Sequence, residues 1–73
     1  MYTLDKMKLG SEKIVKSINC DSNIKRRLLD LGLIPGTKII SLFKSPLGDP
    51  VAYDICGSVI AIRSEDASRI EVE

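Results

Sequence analysis

The residues with most chemical capacity are two cysteines, Cys20 and Cys56, two adjacent arginines, Arg26 and Arg27, and scattered carboxylates; histidine is absent from all 73 residues. Its absence removes the usual neutral-pH general base and the commonest zinc ligand. No nucleophile–base pair is offered either. The chain therefore reads as a binding protein with no catalytic residue, not as an enzyme. Sulfur with carboxylate suits iron(II) or zinc, so Cys20 and Cys56 invite a metal site completed by Asp21, Asp49 or Asp54. Metal-binding cysteines usually stand in closely spaced pairs, however, and these are 36 positions apart. They read as ordinary thiols, one near a helix start and one at a hairpin. No metal ligand and no cofactor is assigned, weak transition-metal binding being the alternative.

The elements that must position these groups are marked by turn chemistry. Lys13–Ile18, with Ile14 and Ile18 apolar between lysines, reads as a first strand, and Leu4, Met7 and Leu9 before Gly10 can tuck into a core. Asn19, Asp21, Ser22 and Asn23 supply N-caps for a helix of about ten residues that ends at Gly32. Ile24, Leu28 and Leu31 share one face of it. Ile34-Pro35-Gly36 has the composition of a type II turn. Thr37–Ser45 is rich in strand formers, with Ile39 and Phe43 on one face and Ile40 and Leu42 on the other, a pattern that a bent or bulged strand reconciles. Ser45–Pro50 is a connector, since its two prolines and glycine do not fit a central strand.

The clearest pattern follows. A two-residue turn at Gly57-Ser58 pairs Cys56 with Val59, Ile55 with Ile60 and Tyr53 with Ile62. That register sets Val51, Tyr53, Ile55, Ile60 and Ile62 on one face, and Ala52, Asp54, Cys56, Val59 and Ala61 on the other. Ser64 is expected to cap one helical turn before a last strand through Ile70 and Val72. Five short strands with one helix after the first, and a single helical turn before the last, describe a mainly β fold: a small five-stranded SH3-like barrel occupying residues 1–73 as one domain. Closing the sheet would remove exposed edges.

Charge and composition exclude several functions. Eleven basic and ten acidic residues leave a net charge of +1, too little to gather nucleic acid. Three aromatic residues are too few for a stacking surface or a proline-peptide groove. Residues 1–27 carry +4 and residues 28–73 carry −3, a dipole able to orient a charged partner. The longest uncharged run, Ile55–Ile62, is far short of the ~20 residues of a membrane span, so no direct membrane insertion is expected. No apolar leader opens the chain, and a cytoplasmic protein with reduced thiols is the expectation.

Arg26-Arg27-Leu28-Leu29-Asp30-Leu31-Gly32-Leu33-Ile34-Pro35-Gly36-Thr37, then Ser45-Pro46-Leu47-Gly48-Asp49-Pro50, then Ile60-Ala61-Ile62-Arg63, in that order and at this spacing, resemble the FeoA family. These are small cytoplasmic SH3-like proteins of bacterial ferrous-iron uptake. The resemblance runs from Leu4 to Val72 and implies an accessory role, by protein–protein interaction, beside the FeoB transporter and its cytoplasmic GTP-binding domain. Neither cysteine belongs to the shared pattern. Ile40, Phe43, Ala52, Val59 and Ala61 stand where such proteins often carry more polar residues. A metal-sensing regulatory SH3-like module is the alternative function.

The expected docking set follows. Arg26 and Arg27, with Asp30 spaced to pair with Arg26, belong to a docking face rather than an arginine finger. The proline-stiffened connector presents Leu47 and Asp49 with little ordering cost. Ala52, Val59 and Ala61, extended by Ile40 and Phe43, form an apolar patch of the sort that marks an interface, and a second copy of the chain or the transporter would cover it.

Overall fold

The structure, a computed structural model, describes residues 2–73. The elements are a 3-10 turn at Leu4–Lys6, strand β1 (Glu12–Ile18), helix α1 (Ser22–Asp30), β2 (Lys38–Lys44), β3 (Val51–Ile55), β4 (Ser58–Ile62), helix α2 (Ser64–Ala67) and β5 (Ile70–Val72). All strand pairs are antiparallel and the order is β4-β3-β2-β1-β5. The fold is thus mainly β, as expected, but its sheet stays open: β4 and β5 are its two ends. The Leu4–Lys6 turn packs against α2 and β5. One edge is therefore covered by local structure rather than by a barrel seam.

Helix α1 begins where Asp21 accepts the Ile24 N–H at 3.1 Å, an N-cap. It ends at Gly32, whose φ of +97° suits only glycine without strain. The Ile34–Thr37 turn closes with Thr37 N–H donating to the Ile34 carbonyl at 3.0 Å. β2 carries the expected bulge, at Leu42, between the Ser41–Tyr53 and Phe43–Ala52 pairs. That extra residue turns Phe43 outward, so it does not share the buried face of Ile39.

The β3–β4 hairpin corrects the expected register. Its turn is Cys56-Gly57, both at positive φ, the left-handed pair of a type I′ turn. Tyr53 pairs with Ile60 and Val51 with Ile62. The Asp54 carboxylate accepts the Gly57 N–H at 3.0 Å and holds the turn one residue earlier than Gly57-Ser58. A shift of two in pairing leaves every side chain on its face, so Tyr53, Ile55 and Ile62 still enter the core, alongside Leu4, Leu33 and Ile70.

Candidate docking groove

Helix α1 presents two faces. Leu28 is buried and Ile24 half-buried against the core. Successive helical residues turn by about 100°, so Arg26 and Arg27 diverge. Arg27 lines a groove of about 630 Å³ with Ile24 and Leu31, and Arg26 does not. Opposite α1 the groove is bordered by Ile60 to Arg63, and its end is made by Glu65, Asp66 and Arg69 around α2. The expected Arg26–Asp30 ion pair does not form; the ion pairs among the described residues belong to Lys16 and Lys38. Arg63, which belongs to the Ile60–Arg63 motif but not to the expected docking set, and Arg69 join Arg27 here. Only the long-range packing of β4 and α2 beside α1 brings them in.

The Ser45–Pro50 connector is a compact turn: Gly48 N–H donates to the Ser45 carbonyl at 2.8 Å, and Ser45 N–H to the Pro50 carbonyl at 3.1 Å. Leu47 stands at its tip, 95% exposed. Asp49 has a structural task as well. Its carboxylate accepts the Ser64 N–H at 2.8 Å, capping α2 from across the fold. Ser64 is therefore inside the helix and not its cap; Arg63 holds the N-cap position without a side-chain bond. Asp49→Ala is expected to cost about 1 kcal/mol and Asp49→Asn clearly less, read from urea midpoints of the two variants.

On the outer face, Phe43, Ala52 and Ala61 form one row across β2, β3 and β4. Val59 is 63% and Phe43 58% exposed, but Ala52 only 7%. Flanked by both cross-strand neighbours, the Ala52 methyl has little surface left. Ala52 therefore drops out of the docking patch, leaving Val59, Ala61 and Phe43.

The cysteines stay apart in role. Cys20 Sγ donates to the Asp66 carbonyl at 3.5 Å. Burial pushes its thiol pKa up, Asp66 and Asp21 add to the rise, and Arg69 opposes it; a raised pKa disfavours the thiolate a metal or nucleophilic role needs. Cys56 is exposed in its turn. Among the described residues no three Cys, Asp or Glu side chains gather as a metal set.

An open five-stranded antiparallel sheet with two short helices defines a small SH3-like β module. The chain belongs to the FeoA family, whose domain model matches residues 2–73, a family of accessory proteins in ferrous-iron transport. A curated relative from Porphyromonas gingivalis, an Fe(2+) transport protein A/Fe(2+) transporter FeoB fusion protein, is 31% identical over 70 residues. The match takes in 96% of this chain but 8% of that fusion, so the chain corresponds to a small part of it. The solution structure of FeoA from Chlorobium tepidum superposes with a TM-score of 0.94 at 35% identity, covering 97% of this chain and 68% of that one. A zinc complex of Stenotrophomonas maltophilia FeoA, described as a prokaryotic SH3 domain protein, gives 0.87 at 27% identity over 100% and 91% of the two chains. No helix among the described residues is long and apolar enough to cross a membrane.

Proposed function

We propose that this chain is a non-catalytic docking module that binds the cytoplasmic part of a FeoB-type ferrous-iron transporter, in the cytoplasm and without a cofactor of its own. The observation that carries this reading is the Porphyromonas gingivalis relative, in which an FeoA segment and FeoB are one polypeptide. Fusion holds two modules at high effective concentration, an arrangement suited to partners that must meet. The surface supports a binding role. Leu47 projects from a hydrogen-bonded turn that loses little entropy on binding, and Arg27 lines a groove that Pro50, at the end of that connector, also borders.

The test is an amide chemical-shift titration with the transporter's cytoplasmic region, run with a GTP analogue, with GDP, and against iron(II) alone. Saturable shifts with protein support docking. Shifts with iron(II) alone, centred on Cys20 or Cys56, would replace it with the metal-sensing reading. Leu47→Glu is expected to weaken binding at least about tenfold, because it places a charge in the contact, while the melting temperature stays within a degree or two. A large loss of stability would instead make Leu47 part of the fold.

A further inference from the structure

The two ends of the sheet are treated differently by the chain. Along β5, the Tyr2 carbonyl accepts the Val72 N–H at 2.9 Å and Thr3 bridges Glu71, so the N-terminal segment blunts that edge. β4 has no such cover. Ile55 and Ser58 close a two-residue turn and exchange hydrogen bonds, so Ser58, Ile60 and Ile62 face β3. Val59 and Ala61 then point their N–H and C=O groups outward, and neither finds a partner elsewhere among the described residues. The strand carries no charge and no proline, the devices that ordinarily discourage edge pairing.

The groove lies along this edge. Ile60, Ala61, Ile62 and Arg63 border it consecutively rather than alternately, as an edge does and a sheet face does not. Across from them α1 supplies Ile24 and Leu28, and its C-cap Leu31 extends them, an apolar wall. Charge then selects among occupants. The groove's carboxylates have local uses: Asp21 caps α1, and Glu65 and Asp66 sit in the first turn of α2, where negative charge is favoured. Arg27, Arg63 and Arg69 are all exposed and make no ion pair among the described residues.

We infer that the β4 edge accepts an extended segment of the partner as a sixth strand, with apolar side chains toward α1 and carboxylates answering Arg27, Arg63 and Arg69. The inference rests on the docking reading above and names the chemistry of the docked segment. Main-chain bonds to Val59 and Ala61 supply attachment, and the side chains supply selectivity.

The probes are three blocked seven-residue peptides titrated into the labelled full chain: one alternating glutamate and valine, one alternating lysine and valine, and the glutamate peptide with a central proline. The glutamate–valine peptide should shift the Val59–Arg63 amides, slow Ala61 amide exchange, and bind at least about tenfold tighter than the other two. Arg27→Glu/Arg63→Glu/Arg69→Glu should reverse the charge preference. Lys8→Glu/Lys25→Glu/Lys44→Glu, the same charge change away from the groove, should keep it. Ala61→Pro, at a position whose N–H faces outward, should keep the fold and remove binding. Absence of saturable binding, shifts confined to the Leu47 turn, or equal effects of the two triple variants would overturn the inference. The transporter's cytoplasmic region is titrated into wild type and the groove triple variant in parallel. Equal binding to both overturns the sixth strand while leaving docking intact. Binding to neither defeats the docking reading, and the peptides still decide the edge.

Discussion

Replacing Leu4 with alanine is expected to remove about 2–5 kcal/mol of unfolding free energy, the range for deleting a fully buried leucine side chain. Leu4 is 0% exposed and sits on the 3-10 turn packed against α2 and β5, where the open sheet leaves its core without a strand. A domain of this length has roughly 4–11 kcal/mol in all, so one side chain in the N-terminal segment would decide whether a large part of the population is folded. The cavity cannot be refilled easily, because the turn is tied on both sides: Tyr2 to Val72, and the Leu4 carbonyl to the Tyr53 hydroxyl at 3.5 Å. Urea unfolding followed by circular dichroism reads the effect directly. A loss below about 1 kcal/mol would mean that the N-terminal segment is dispensable and that the sheet edge beside it is closed by something else.

That segment also shows what local patterns can reveal. Leu4 and Met7 are buried as their place before Gly10 suggests, whereas Leu9 stands 48% exposed; nothing local shows that the stretch bridges to β5, since the pairing joins residues at opposite ends of the chain. The hairpin is instructive in another way. Alternation has a period of two, so it assigns Tyr53, Ile55 and Ile62 to the core in either of two registers. Only the turn chemistry separates them. Cys56 at φ +53° is an uncommon choice for a left-handed position, and it is the Asp54 carboxylate on Gly57 N–H that makes it workable. The sequence pattern of α1, by contrast, carries its cap, Asp21, and its terminating glycine, Gly32, within twelve residues, and both are found in place; of its expected apolar face Leu28 is buried and Ile24 half-buried, while Leu31 is exposed.

The docking surface was legible only where it is local. Leu47 between two prolines is exposed for reasons visible in its own turn. Arg26 and Arg27 look equivalent in sequence, yet helical geometry sends one toward β4 and the other away from the groove. Ala52 looks like Ala61 by alternation, but an interior strand has neighbours on both sides and an edge strand only one. The same asymmetry leaves Ala61 accessible and its backbone unpaired. The place of Asp49 in the connector suggests a contact residue; its bond to Ser64 spans 15 positions and belongs to the tertiary fold.

Alkaline titration is expected to destabilise this protein through Tyr53. The phenol lies 2% exposed in the core, and burial, with the charges of Asp5 and Asp49 adding to it, pushes its pKa up to about 12 from an ordinary 10. The folded state therefore binds the proton more tightly than the unfolded chain does. Below pH 10 both states hold it and stability is unaffected. Between pH 10 and 12 the unfolded chain ionises first, and stability falls by about 1.4 kcal/mol per pH unit, or about 2–3 kcal/mol in all. Cys20 acts with the same sign from near pH 9, since its thiol is also raised. Tyr53→Phe should lose only the long bond to the Leu4 carbonyl at neutral pH, under about 1 kcal/mol, and should flatten the decline above pH 10. Urea midpoints for wild type, Tyr53→Phe and a Tyr2→Phe control, taken from pH 8 to 12, separate the contributions. Parallel declines in all three would leave the Tyr53 phenol no part in the sensitivity. A shallower decline for Tyr53→Phe alone would mean that the ring anchoring the 3-10 turn to β3 is also the main source of the loss of stability in base.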